Sequence, residues 1–165
     1  MHRPFGGARL LRKGRCSLEG QVYMITACIW QRAPILDTLH AARILVKEFR
    51  LIEQEAMARS ISYVIMPDHF HWLIRLGQVA DLSGIVKQVK ARSAYRINKR
   101  LGRRGRLWQP GFHDRAIREE EDLRTVARYV VANPLRAGLV EDIGKWPYWD
   151  AVWLEGGEED RPLDP

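Results

Sequence analysis

A chain of 165 residues with 46% hydrophobic content is long enough for one domain with a substantial core and too short for two. It contains no apolar run long enough to span a membrane and no apolar signal-peptide segment near its start, so no membrane embedding is expected. The net charge of +7 and the pI of about 9.8 indicate an anionic partner, with nucleic acid first and an anionic membrane surface second.

Charge and cysteine content predict how the chain is divided and where it works. Residues 1–17 are basic and are predicted to form an N-terminal arm, residues 18–150 a folded domain, and residues 151–165 an acidic, disordered tail. The two cysteines, Cys16 and Cys28, do not form a CxxC pair, so a reducing, cytoplasmic location is expected.

The first half of the domain is predicted to contain three strands and one helix. The β-rich residues 21–29 predict a strand, and apolar residues at helical spacing predict a helix over 37–58. Two further strands are predicted over 60–66 and 69–76, joined by a turn at Pro67-Asp68.

The second half is predicted to contain two helices and a short strand. A long basic helix over 82–101 should end near Gly102, and a strand is expected near 112–117. A final helix over 119–133 starts with carboxylates and should stop there, because Pro134 disfavours helical geometry in the residue before it.

The order of these elements predicts the fold. Strand, helix, strand, strand, helix, strand is the ferredoxin-like βαββαβ pattern of α+β proteins, here followed by an additional C-terminal helix. In that fold the helices cover one face of the sheet, so we expect the other face to be free. Another α+β arrangement of the same elements is the alternative.

Two histidines lie in the third predicted strand, within the sequence YVIMPDHFHWLIRL. Because side chains alternate along a strand, Phe70 and Trp72 should face the helices, whereas His69 and His71 should share the open face. Two imidazoles two residues apart can bind one metal ion. They could equally be two half-exposed polar residues of the strand, because a His-x-His pattern is short and weak.

The final helix carries a tyrosine outside its apolar stripe. At about 100° per residue, one face of the helix is formed by Leu123, Val126, Ala127 and Val130. Tyr129 and Asn133 lie off this stripe and four residues apart, which makes them neighbours on one flank. Tyr129 is therefore predicted to face a cleft or to lie at the rim, and Asn133 is also an ordinary helix terminator.

Several other residues have a structural interpretation that is at least as good as a functional one. Asp68 could bind a metal but also suits a turn, and His113 could be an ordinary strand residue. Tyr95, in the basic helix, could stack on a base or pack in the core. Cys16 and Cys28 have no evident partner.

Taken together, the motifs resemble a known family. His69-Phe70-His71 resembles the HUH motif, and its surroundings resemble the corresponding strand of the REP-associated tyrosine transposases, relatives of the IS200-like single-strand transposases. The segment LWQPGFHDRAIREEEDLRTVARYVVANPLRAGLV resembles the second signature of that family, with its Tyr-x-x-x-Asn-Pro block. The resemblance covers roughly residues 18–150.

The resemblance implies a site and a reaction. It assigns the metal to His69 and His71, the nucleophile to Tyr129, and a third polar ligand to the position of Asn133, where relatives often have Gln. It implies a ferredoxin-like catalytic domain that uses divalent Mg²⁺ or Mn²⁺ to cleave and rejoin single-stranded DNA, often beside hairpin-forming repeats, through a 5′-phosphotyrosine intermediate. Some relatives exchange the tyrosine helix in a homodimer, and the sequence leaves monomer and dimer open.

A basic run is the predicted DNA contact. Between Leu82 and Trp108 there are nine Lys or Arg residues and no acid. We expect them to contact phosphates, with Trp108 and Tyr95 offering rings for base stacking. The predicted contacts are Lys87, Lys90, Arg92, Arg96, Lys99, Arg100, Arg103, Arg104, Arg106 and Trp108. A solvated helix is the alternative for the run.

Three alternative functions remain open on the sequence. The first is a non-catalytic protein that binds single-stranded nucleic acid on a ferredoxin-like sheet. The second is a replication or relaxase-type nickase with the same histidine pair, although such proteins are usually larger. The third is a metal-dependent hydrolase that cuts DNA with water and forms no covalent adduct.

Overall fold

A five-stranded antiparallel sheet organises the computed structural model, which describes residues 17–152. In chain order the strands are β1 Val22–Cys28, β2 Ala58–Ile65, β3 His69–Leu76, β4 His113–Ala116 and β5 Trp149–Ala151. They are arranged in the order β4-β1-β3-β2-β5, with neighbours antiparallel. The first four strands have the ferredoxin-like arrangement, so the predicted fold class is confirmed.

Four α-helices connect or follow the strands. They are α1 Leu39–Gln54, α2 Leu82–Leu101, α3 Leu123–Val131 and α4 Asn133–Arg136. None of the helices in residues 17–152 is long and apolar enough to cross a membrane.

The predicted bounds are accurate where local signals are strong. Strand β3 and helix α2 have the predicted ends, and α2 stops where Gly102 takes a left-handed φ of 62°. Helix α1 ends earlier than predicted, since Ala56 has a φ of 55°, and β2 then begins at Ala58.

The last helix differs from the prediction at both ends. Asp122 caps α3 by accepting from the backbone N–H groups of Arg124 and Thr125, so the preceding glutamates lie outside the helix. The chain does not leave helical geometry at Asn133, because Pro134 occupies the first turn of the separate helix α4, where a missing N–H costs nothing.

The predicted domain boundaries fall close to the limits of the described residues. Strand β5 was not predicted, and its Ala151 is buried, so the folded domain extends past residue 150. The predicted basic arm lies outside the described residues except for Ser17, and so does the predicted acidic tail from residue 153 onward.

The main core lies between the sheet and the pair α1 and α2. Phe70, Trp72 and Ile74 of β3 face this side, as their alternation predicts, and Phe49 of α1 stacks on Trp72 with ring centroids 4.2 Å apart. Burial of these rings anchors β3 in the centre of the sheet.

The second face of the sheet is not free, which corrects the expectation from the fold. Helix α3 packs Val126, Ala127 and Val130 against it and forms a second, smaller core. The physical reason lies in β3 itself, since Leu73 shares the histidine face and needs a cover. The predicted apolar stripe of the last helix supplies that cover, which brings its other flank towards the histidines.

Candidate active site

The two histidines lie side by side at the start of β3, and each is held through its Nδ1 atom. Their rings meet edge to face with centroids 4.9 Å apart. His69 Nδ1 lies 2.6 Å from Asp68 Oδ1, and His71 Nδ1 lies 2.7 Å from Thr26 Oγ1 on β1. A carboxylate only accepts, so His69 donates through Nδ1, and both rings keep Nε2 as the nitrogen available to a metal.

The surroundings of His71 keep it neutral. Burial, followed in order by the charges of His69, Arg136 and Arg32, lowers its pKa to about 4. At neutral pH the ring is therefore unprotonated, which is the form that binds a metal ion.

An arginine that the sequence analysis did not consider lies beside the histidines. Arg32 follows β1 and has a φ of 56°, next to Gln31 at 55°, which is an unfavourable backbone conformation for both residues. Its Nε is 2.8 Å from Asp68 Oδ2 and its Nη1 is 2.7 Å from Cys28 Sγ. Asp68 thus joins Arg32 to His69.

Tyr129 extends from α3 into solvent, as predicted from its position off the stripe. Its side chain is 56% exposed. The guanidinium of Arg136, from α4, lies 3.5 Å from the centre of its ring. The charge of Arg136 also contributes to the lowered pKa of His71.

Asn133, the predicted third ligand, makes several hydrogen bonds of its own. Its Nδ2 donates to the carbonyl of Val130 at 2.7 Å, and its Oδ1 accepts from Arg136 Nη2 at 2.7 Å. The oxygen keeps one lone pair.

The histidine pair is not part of a larger cluster of the usual ligands. Within residues 17–152 no group of three His, Cys, Asp or Glu side chains could hold a metal ion. The residues present fit a divalent metal through two imidazoles, with further ligands from an amide, water or phosphate oxygen.

The basic helix α2 packs on the sheet face opposite the histidines, and much of its charge is used inside the fold. Lys90 donates to the carbonyls of Gln109 and Gly111, both at 2.6 Å. On the neighbouring turns, Arg92 pairs with Glu55, the residue that follows α1, and Arg96 pairs with the fully buried Glu48 of α1. These three cations therefore stabilise the fold, whether or not they also contact DNA.

The other end of the basic run reaches the histidine end of the sheet. Helix α2 runs antiparallel to β3, so its C-terminus lies near the start of that strand. Arg100 and Arg103 contact the side chains of His40 and Asn98. The remaining predicted cations are exposed and form no ion pair with a carboxylate within residues 17–152; these are Lys87, Lys99, Arg104 and Arg106.

The predicted base-stacking role of Trp108 is wrong. Its side chain is only 5% exposed, packs edge-on against Phe70 and donates from Nε1 to Ser93. Trp30, by contrast, is exposed, and the guanidinium of Arg106 lies 4.6 Å from its ring centre. Sequence alone does not distinguish these two tryptophans, because their burial depends on the path of the loops.

The two remaining candidates from the sequence, Tyr95 and His113, are both exposed. Tyr95 is an exposed residue of α2, with Lys99 5.9 Å from its ring centre. His113 is exposed on β4, opposite Thr26 on the neighbouring strand. Neither Arg136 nor Thr26 had a signal in the sequence. Arg136 lies beyond Asn133, where the last helix was predicted to stop. The pairing of β1 with β3, which places Thr26 opposite His71, cannot be read from the sequence.

Comparisons with known proteins place the chain among DNA-processing enzymes. A family model for "Transposase IS200 like" matches residues 17–133. The chain therefore belongs to the IS200-like transposase family.

Individual relatives agree with this assignment. The chain is 29% identical over 124 residues to the REP-associated tyrosine transposase of Escherichia coli K12, covering 72% of this chain and 68% of that protein. It is 28% identical over 144 residues to a Haemophilus influenzae protein provisionally named as a REP-associated tyrosine transposase, covering 79% of each.

Solved structures show the same fold. A REP-associated tyrosine transposase bound to a REP hairpin superposes with a TM-score of 0.67 at 23% identity, over 82% of this chain and 79% of the other. A provisionally assigned transposase from Deinococcus radiodurans superposes with a TM-score of 0.52 at 22% identity, over 74% and 96%.

Proposed function

We propose that this protein cleaves and rejoins single-stranded DNA through a covalent bond between Tyr129 and a 5′ phosphate. One observation carries the proposal: the helix with Tyr129 packs on the same sheet face as His69 and His71. Arg136 then lies on the tyrosine ring while its charge acts on His71.

The reaction is a transesterification, in which one phosphoester bond breaks as another forms. The Tyr129 hydroxyl oxygen attacks a backbone phosphorus, loses its proton, and displaces the 3′ oxygen of the preceding nucleotide, which takes up a proton. The phosphotyrosine bond retains the energy of the phosphodiester, so a 3′-OH can reverse the step and rejoin a strand without ATP.

A divalent ion, Mg²⁺ or Mn²⁺, would be held by His69 and His71, with Asn133 as the candidate third ligand. Such an ion neutralises charge that develops on a phosphate. Imidazole suits Mn²⁺ better than Mg²⁺, which prefers oxygen. The role of Asp68 and Thr26 is to hold the two rings through Nδ1 so that Nε2 keeps its direction.

The proposed partner is single-stranded or hairpin DNA. A structural relative is described as bound to a REP hairpin, and the tyrosine needs an exposed phosphate that a plain duplex does not offer. At the histidine end of the sheet the exposed cations Arg104 and Arg106 would contact phosphates, and Trp30 would offer a ring for a base.

A covalent-adduct assay tests this function. Purified protein is incubated with labelled hairpin oligonucleotides that carry single-stranded extensions, with Mn²⁺ or Mg²⁺, and run on a denaturing gel. We expect a protein–DNA band that resists SDS and disappears with EDTA. Cleavage without such a band would indicate a hydrolase, and binding without cleavage would indicate the non-catalytic alternative.

A further inference from the structure

Two arginines outside the basic helix converge on the candidate reacting groups. Arg32 comes from the loop after β1 and is joined to His69 through Asp68. Arg136 comes from α4, at the other end of the chain, and contacts the ring of Tyr129. Arg136 thus contacts a residue proposed to act in the reaction, and Arg32 is separated from another by one side chain. The two arginines are over one hundred positions apart in sequence.

We propose that Arg32 and Arg136 together bind the phosphodiester that Tyr129 attacks. The proposal rests on the function proposed above and extends it by assigning the phosphate site. A guanidinium suits this role because its planar fork of N–H groups matches two phosphate oxygens, and because it stays charged at any physiological pH.

Arg32 is held in place before DNA arrives. Its Nε and Nη1 groups are engaged by Asp68 and Cys28, so part of its five-donor fork remains for a ligand. Its side chain is about half exposed, and its backbone adopts a left-handed conformation that is energetically unfavourable for a residue other than glycine. Preorganised charge of this kind stabilises a transition state without further reorganisation.

Arg136 lies against the ring that carries the proposed attacking oxygen. It lies on the face of the Tyr129 ring and donates to the amide oxygen of Asn133. Within residues 17–152 it forms no ion pair with a carboxylate. A phosphate bound by Arg136 would therefore lie beside the tyrosine and gain a cation that no acid already neutralises.

The first test is kinetic. A random-sequence oligonucleotide pool with a fixed hairpin is incubated with wild-type protein, and the covalently attached strands are sequenced to map the cleaved phosphate. With the mapped oligonucleotide at saturation, Arg32→Gln and Arg136→Gln should each slow adduct formation about 100-fold. The lysine variants should recover part of the rate, and Arg43→Gln, an exposed change on α1, should react like wild type.

The second test measures binding without chemistry. In a Tyr129→Phe background, the mapped phosphate is replaced by a neutral methylphosphonate. This should weaken binding about 10-fold when both arginines are present, and leave affinity unchanged in the Arg32→Gln, Arg136→Gln double variant. Thermal melting identifies any variant that fails to fold, and the lysine variants then replace it.

The outcomes separate the two proposals. Wild-type rates in both glutamine variants, or an equal methylphosphonate effect in the double variant, would overturn the phosphate site and leave the tyrosine mechanism intact. Absence of any adduct with wild-type protein would overturn the proposed function, and the phosphate site would fall with it.

Discussion

The two faces of the sheet use arginine differently. On the face covered by α1 and α2, Arg92 pairs with a carboxylate at the end of α1, and Arg96 pairs with a fully buried carboxylate within α1. On the histidine face, Arg136 lies on an exposed tyrosine ring, and Arg32 shares a carboxylate with a histidine. The same side chain stabilises the fold on one face and surrounds candidate reacting groups on the other.

This difference shows what a basic run does and does not indicate. The nine cations between Leu82 and Trp108 gave the strongest charge signal in the sequence, yet several of them have partners inside the fold. Arg32 and Arg136, which contact residues of the candidate site, lie outside that run and are isolated in sequence. Charge density along a chain therefore predicts a partner class better than it predicts the contacts.

The largest expected effect separates two exposed tyrosines, one on each face. Tyr129→Phe should reduce covalent adduct formation by at least about 10³-fold, because the hydroxyl is the proposed nucleophile. The fold should persist, since the side chain is 56% exposed. Tyr95→Phe, at a 68% exposed residue of α2, is the matched control and should react normally. An adduct in the Tyr129→Phe protein would assign the nucleophile to another residue.

The next effect concerns the metal. His69→Ala and His71→Ala should each weaken Mn²⁺ binding at least about 100-fold, measured by calorimetry, while affinity for DNA stays near wild type. His40→Ala, an exposed histidine on α1, should bind Mn²⁺ as wild type does. Full adduct formation in excess EDTA would contradict a metal role for this pair.

The opposite face should respond in stability rather than chemistry. Arg96→Ala leaves Glu48 buried without its partner, and the second oxygen of Glu48 already lacks one. We expect a loss of roughly 2–3 kcal/mol in the free energy of unfolding, measured in urea. Replacing Glu48 by Leu in the same protein should recover most of the loss, whereas Lys99→Ala should change stability little. An unchanged unfolding midpoint in Arg96→Ala would show that this face does not depend on the pair.

The smallest effect tests the exposed end of the basic run. Each phosphate neutralised on a single strand contributes about −0.7 to the slope of log K against log salt. Substituting glutamine at three positions should therefore flatten the slope by about two; these are Arg103, Arg104 and Arg106.

A triple variant on α1 provides the control for the salt slope, since it removes equal charge outside the basic run. The three exposed positions are Arg43, Lys47 and Arg50. Equal slopes in the two triple variants would mean that binding depends on net charge and not on the position of the run.

Much of the fold could be predicted because its signals are local. Strand β3 alternates apolar and polar residues beside a proline-containing turn, and α2 ends at a glycine, so both were placed correctly. Strand β5 could not be predicted, since its three residues become a strand only by pairing with the edge of β2.

The candidate site also contains residues that could be predicted from the sequence and residues that could not. His69, His71 and Tyr129 belong to motifs, and their positions off the main core follow from periodicity. Thr26 and Arg32 are placed by strand pairing and by a loop with left-handed backbone angles, and neither feature leaves a periodic pattern in the sequence.

The short strand β5 also has a consequence for solubility. It covers the outer edge of β2, an eight-residue strand whose N–H and C=O groups would otherwise be open to pairing. At the other end of the sheet, β4 has only four residues, with His, Asp and Arg among them, which discourages pairing with a second chain. A truncation before Trp149 would therefore expose the edge of β2 and favour edge-to-edge aggregation, although the chain would still contain His69, His71 and Tyr129.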